Sequence, residues 1–191
     1  MTPSSVFKPL KEAGGTVVKH YPAKFKIFTL NWNYRNHRKI VVVDGRIGYL
    51  GGMNVGKEYM SLDPNYSPWR DAHLRLVGDA VWDLQHRFFR DYFMVCEDER
   101  DEVHIQSNLD HYFTASLVTT ICPIQIVSDG PDTPTDDIKL AFVKMMQTAT
   151  KSIRIQTPYF IPDQLFLETL KIAAYSGVKV EVMIPTIADH H

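Results

Sequence analysis

The residues best equipped for chemistry lie in two short runs, Asn36-His37-Arg38-Lys39-Ile40-Val41-Val42-Val43-Asp44 and Gly51-Gly52-Met53-Asn54. Together they have the form H-x-K-x4-D-x6-G-G-x-N. In an extended strand residues i and i+2 share a face, so His37 and Lys39 point the same way. An imidazole beside an ammonium suits attack on a phosphodiester. The imidazole can be the nucleophile and the lysine can hold a non-bridging oxygen. Asn54 can bring an amide donor to the same phosphate, and Gly51 and Gly52 let backbone approach closely. A bare H-x-K would read as a surface histidine and lysine at a strand edge. The aspartate, the paired glycines and the asparagine at fixed spacing favour the phosphodiester site. Arg35, Arg38 and Lys39 concentrate three cations in five residues, which reads either as a solvated loop or as part of an anion site.

Elements must hold these groups. An amphipathic stretch from Val6 to Ala13 is stopped by Gly14-Gly15, in the manner of a helix C-terminus. Thr16 to Tyr21 reads as a strand, and a polar, aromatic loop follows to about Asn36. Lys39 to Asp44 is a strand of buried type. Asp44-Gly45 signals a hairpin turn, and Ile47 to Leu50 is the partner strand, broken by Gly51-Gly52. His73 to Val77 alternates like a strand. Asp79 is placed to cap a helix from about Ala80 to Val95, with Val81, Leu84, Phe88, Phe89, Tyr92 and Phe93 as its core stripe. The charged stretch from Glu97 to Glu102 opens a connection with little regular structure until Pro123. A new unit starts at Ile124. It contains a helix from about Thr135 to Thr150, with Met145 and Met146 in its core, a strand from Ser152 to Thr157, a helix from Gln164 to Tyr175 and a strand from Val178 to Ile184. Helix, glycine and β-branched strand occur both at 7–18 and at 167–180, a weak internal repeat. Alternating helices and strands favour an α/β sandwich with a mixed sheet.

Bulk properties narrow the class. The 191 residues suit one large domain or one and a half smaller ones, and a net charge of −1 gives no global pull toward nucleic acid or anionic lipid. Cys96 and Cys122 form neither a metal-type spacing nor a disulfide framework. Two reduced, partly buried thiols fit a domain facing the cytoplasm. No apolar run approaches bilayer-spanning length, and no signal peptide is visible.

The H-x-K segment resembles the HKD motif of the phospholipase D superfamily. Its context resembles the bacterial cardiolipin synthases: Asn33-Tyr34-Arg35-Asn36-His37-Arg38-Lys39-Ile40, Trp69-Arg70-Asp71-Ala72-His73-Leu74-Arg75-Leu76-Val77-Gly78 and Thr157-Pro158-Tyr159-Phe160-Ile161-Pro162. The resemblance runs from about Phe7 to His190. It implies a phospholipase D-like α/β sandwich with a mixed β-sheet. Residues 1–115 would be a first lobe carrying the motif and residues 116–191 the beginning of a second lobe. It implies a site made by two such motifs facing each other, needing no metal and no cofactor. One histidine attacks phosphorus and the other protonates the leaving alcohol. Carried onto this chain, His37 is the nucleophile, and Lys39, Asn54 and Gly52 form the phosphate pocket. Asp44 belongs to the catalytic motif, with the structural task of turning the strand and pairing a cation. The family places a downstream carboxylate to hold the second imidazole nitrogen, and Asp71 fits that place. Its other reading is a charge at the start of a strand. Tyr159, after a strand end, is a candidate for the lipid cleft. The other histidines, His73 included, read as surface or core residues.

The implied substrate is phosphatidylglycerol, with glycerol released and a second phosphatidylglycerol as acceptor. The parent protein would act at the cell membrane with its catalytic domain toward the cytoplasm, and no nucleic acid partner is implied. No second H-x-K follows Asp44, so this polypeptide alone would be inactive without the second motif. Two other readings stay open. One is a hydrolytic phospholipase D or nuclease of the same superfamily. The other is a binding domain that keeps the phosphate pocket without catalysis.

Overall fold

A computed structural model describes residues 3–19, 36–64, 68–96, 99–115, 118, 122–130 and 133–186. Two compact units divide the chain, Met1–Ile126 and Val127–His191.

The first unit is built on an antiparallel sheet in the order β1 (Ile40–Val43), β2 (Ile47–Gly51) and β3 (His73–Val77). The β1–β2 register pairs Ile40 with Leu50 and Val43 with Ile47. β2–β3 pairs Ile47 with Val77 and Gly51 with His73. Asp44 and Gly45 both take positive φ, 55° and 64°, and the Arg46 N–H donates to the Val43 carbonyl at 3.0 Å. Two left-handed central residues match the right-handed twist of the flanking strands, which is why Asp-Gly works here. Gly45 is needed twice over, because a Cβ there would overlap the Tyr112 carbonyl.

One face of this sheet is covered by α2 (Ala80–Phe93). Leu76, Val81 and Leu84 form the buried centre, with Ile40, Val42, Leu50 and Ile126 packed against them. Gly48 lies under Leu84, where a Cβ would come within 2.7 Å of the leucine Cδ1. Alternate residues of β1 therefore differ, and Val41 and Val43 are exposed. The strand is apolar on both faces, so its sequence reads as fully buried, yet packing covers one face among the described residues. In α2, Phe88 is exposed, while the buried set includes Gln85, Arg87 and Asp91. The aromatic stripe turns toward Phe89, whose ring meets Tyr112 edge-on at 5.1 Å. Asp79 precedes α2 without a side-chain cap.

Several local expectations are corrected. A 3-10 turn (Ser4–Phe7) and α1 (Lys8–Glu12) replace the single helix from Val6 to Ala13. Residues 16–19 are not a strand, and the rest of that expected strand lies outside the described residues. The connection is helical, with α3 (Glu99–Gln106) and α4 (Leu109–Tyr112). Its charged residues look loop-like in composition but are ordinary helix formers. Cys122 is exposed rather than partly buried.

The second unit contains α5 (Asp137–Thr148), β4 (Ser152–Gln156), α6 (Gln164–Tyr175) and β5 (Lys179–Met183). β4 and β5 pair in parallel, Ser152 with Lys179 through Gln156 with Met183. The connecting α6 supplies the crossover that parallel neighbours require. Val143, Met146 and Leu170 make its core, whereas Met145 is exposed. Asp163 caps α6 by accepting from the Phe166 N–H at 2.8 Å. At the other end Gly177, with φ at +88°, closes a Schellman motif in which Val178 N–H donates to Ala173 O. α1 ends in the same motif, with Gly15 N–H on Leu10 O, so the two stretches of the weak repeat share a stop signal. The chain is thus α/β, with antiparallel pairing in the first sheet and parallel pairing in the second.

Candidate active site

His37 and Lys39 lie just before β1. His37 is exposed and Lys39 half-buried. The Lys39 ammonium donates to the His37 carbonyl at 2.8 Å, and the Arg38 N–H donates to Asn36 Oδ1 at 2.9 Å. β1 begins at Ile40, paired with Leu50, so the H-x-K pair enters the sheet at the end where β2 finishes with Gly51. β3 begins at the same end, with His73 paired to Gly51 and Asp71 two residues before it. One end of the sheet therefore gathers the H-x-K pair, the paired glycines and the downstream aspartate.

Gly52 and Asp71 touch directly. The Gly52 N–H donates to the Ala72 carbonyl at 3.1 Å, and a Cβ at Gly52 would collide with the Asp71 carboxylate. Gly51 is confined in the same way, with a Cβ falling 2.5 Å from both the Ala72 carbonyl oxygen and His73 Nδ1. The glycine pair is thus the floor on which the Asp71 region rests. The Asp71 carboxylate accepts from the Ala72 N–H at 2.7 Å and from the Trp69 indole at 3.3 Å.

Asn54 is exposed, and its amide donates to the Tyr59 hydroxyl. The Tyr59 ring packs edge-on against Trp69 at 4.7 Å. Amide, phenol, indole and carboxylate follow one another from Asn54 to Asp71. Sequence reading had no role for Tyr59 and placed Trp69 only within a motif. A tyrosine five residues after the motif asparagine was the available signal.

Asp44 stands at the far end of β1. Five residues of strand, roughly 16 Å, separate it from Lys39, so it cannot reach the same phosphate oxygen. Among the described residues it forms no ion pair. Its carbonyl accepts from the Thr114 hydroxyl at 3.4 Å. Arg38 is not part of a free cationic cluster, because its guanidinium turns to α2 and donates to both Asp91 oxygens, at 3.2 and 3.0 Å. Arg35 lies outside the described residues.

Tyr159 belongs to the second unit and is half exposed. It lines a cavity of about 800 Å³ together with Phe142, Met146, Ile155, Phe160 and Phe166. No described helix is long and apolar enough to cross a membrane.

A family model described as "Cardiolipin synthase, PLD-like domain" matches residues 142–191. Over 183 residues the chain is 46% identical to a cardiolipin synthase of Staphylococcus aureus (strain Mu50 / ATCC 700699), covering 96% of this chain and 36% of that protein. It is 44% identical over 184 residues to the major cardiolipin synthase ClsA of Bacillus subtilis (strain 168), with 96% and 37% covered. A cardiolipin synthase of Oceanobacillus iheyensis is 46% identical over 187 residues, with 98% and 37% covered. No solved structure matches the chain. The chain spans little more than a third of the length of these relatives. Matched along nearly all of its own length at this identity, it belongs to the phospholipase D-like cardiolipin synthase family.

Proposed function

We propose that the full-length protein containing this chain is a phosphatidyltransferase that joins two phosphatidylglycerol molecules into cardiolipin and releases glycerol. One observation carries the reading. The H-x-K pair, the Gly51-Gly52 floor and Asp71 converge on one sheet end in a chain 46% identical to a cardiolipin synthase.

His37 attacks the phosphorus of the first lipid. A nitrogen–phosphorus bond forms, the bond to the glycerol oxygen breaks, and a second imidazole delivers a proton to that oxygen. The hydroxyl of the second phosphatidylglycerol then attacks the phosphohistidine, losing its proton to the same second imidazole. Lys39 and Asn54 hold the non-bridging oxygens, where charge builds in the transition state. Asp71 orients His37 through its second nitrogen, and Gly52 makes room for the carboxylate that does so. Asp44 shapes the hairpin that carries the strand. The second imidazole comes from another H-x-K, since this sequence has one. No metal ion enters these steps. The apolar cavity beside Tyr159 suits an acyl chain. The protein works at the membrane surface, with this domain on the cytoplasmic side.

The test uses full-length protein in phosphatidylglycerol vesicles, with cardiolipin and free glycerol as products. His37→Ala lowers turnover more than about a thousandfold. Phosphatidic acid in place of cardiolipin would make water the acceptor and the enzyme a hydrolase. No lipid product at all would favour a nuclease or a binding domain.

A further inference from the structure

A carboxylate and two guanidiniums meet on the inner side of α2. Asp91 is 8% exposed and Arg87 5% exposed. Arg87, one helical turn earlier, pairs with one Asp91 oxygen. Arg38 reaches both oxygens from 53 residues away. A buried ion pair of this kind is a poor source of stability, because desolvating the charges offsets most of their attraction. What such a pair supplies is geometry. Arg38 Nη1 donates to both Asp91 oxygens while Arg87 donates to one of them, so the carboxylate is held by charge-assisted bonds from two sides and its position is fixed.

Its location gives that geometry a use. Arg38 sits between His37 and Lys39. Residues 36–39 lie outside β1, and among the described residues no strand pairing reaches them. The Asn36 and Lys39 hydrogen bonds are local, spanning two residues each. The Arg38–Asp91 pair ties the segment to a helix that is itself fixed by the core. Alternation in an extended chain sends Arg38 toward α2 and leaves His37 and Lys39 on the other face.

We infer that Asp91 is a positioning residue, holding His37 and Lys39 in register for phosphoryl attack by clamping Arg38. The catalytic part of this rests on the phosphatidyltransferase reading. Displacing a nucleophile by about 1 Å costs on the order of a hundredfold in rate, so a tie of this kind acts on turnover far more than on substrate binding.

The experiment compares wild type, Asp91→Asn and Leu84→Ala as full-length proteins. Leu84→Ala opens a cavity in the same unit and removes neither member of the Arg38–Asp91 pair. Hydrogen exchange is followed amide by amide, and steady-state kinetics are measured on phosphatidylglycerol vesicles. In Asp91→Asn, exchange at residues 37–40 rises about tenfold or more while β2 and β3 stay within about twofold. The kcat falls about tenfold or more with KM within about twofold. Leu84→Ala shows neither pattern at equal loss of melting temperature. Unchanged exchange at 37–40, or the same local acceleration in Leu84→Ala, overturns the inference. Absence of lipid product from wild type would sink the phosphatidyltransferase reading by itself, and the exchange comparison would still decide whether Asp91 holds the segment.

Discussion

At the scale of single residues, the site depends on small groups as much as on reactive ones. In the proposed mechanism His37 and Lys39 supply the chemistry, but Gly52 decides where the Asp71 carboxylate can rest. Adding one methyl group there forces the carboxylate away from its place beside the sheet end. Gly52→Ala therefore lowers kcat by about a hundredfold. The displaced atom is the end of a side chain at an exposed position, so the melting temperature changes little. A kinetic assay paired with a thermal melt checks both halves of this expectation, and a large melting loss with normal kcat would refute it. Arg38 teaches the opposite lesson about charge. By composition it belongs with Arg35 and Lys39 in a cationic cluster, yet its Nη1 donates to both Asp91 oxygens and so turns it away toward α2.

At the scale of elements, turns and caps carry the design. The Asp44-Gly45 turn fixes the β1–β2 register, and a slip of one residue would send His37 and Lys39 to the α2 face. In the second unit, α6 begins at Asp163 and ends at the Gly177 Schellman motif. The Asp163 carboxyl is held below its ordinary value of 3.8 by the Phe166 N–H, and secondarily by hydrogen bonding from Lys139. Glu181 is likewise held below 4.5 by Lys179 and then Arg154. A depressed folded pKa means that the unfolded chain binds protons first as pH falls. The stabilisation is complete above the unfolded values and disappears as pH drops through the lower, folded ones. Thermal melts between about pH 2 and 6 will show the second unit losing stability over the acid end. Asp163→Ala will melt lower at neutral pH and show a shallower acid slope. An unchanged slope would mean the cap does not couple to folding.

At the scale of the whole molecule, the chain has two compact units and a single H-x-K. A phosphohistidine mechanism requires a nucleophile and a separate acid. The 191 residues alone are therefore expected to give no cardiolipin from phosphatidylglycerol. Product formation by the purified chain that disappears in His37→Ala would overturn this. The face of the first sheet opposite α2 is apolar as well, with Val41, Val43 and Val77 all exposed among the described residues. A strand with both faces apolar fits a layer arrangement with cover on each side.

The sequence by itself named a candidate reactive set and most of the elements that hold it. His37, Lys39, Gly52 and Asn54 are candidates on sequence alone because phosphodiester chemistry needs those types at strand and turn spacing. β2, β3 and α6 are legible because periodicity, Asp-Gly and a terminal glycine are local signals, read within a few residues. The bounds of α3 and α4 were hidden, since charged residues serve helix and loop alike. Tertiary structure alone decided which apolar positions are covered, as in the split between Val42 and Val43, and between Met146 and Met145. It alone brought Asp71 against Gly52, Tyr59 against Trp69 and Asp91 against Arg38. Those partners are distant in the chain or depend on rotamers. No local pattern specifies a contact whose geometry is set by how a helix packs on a sheet.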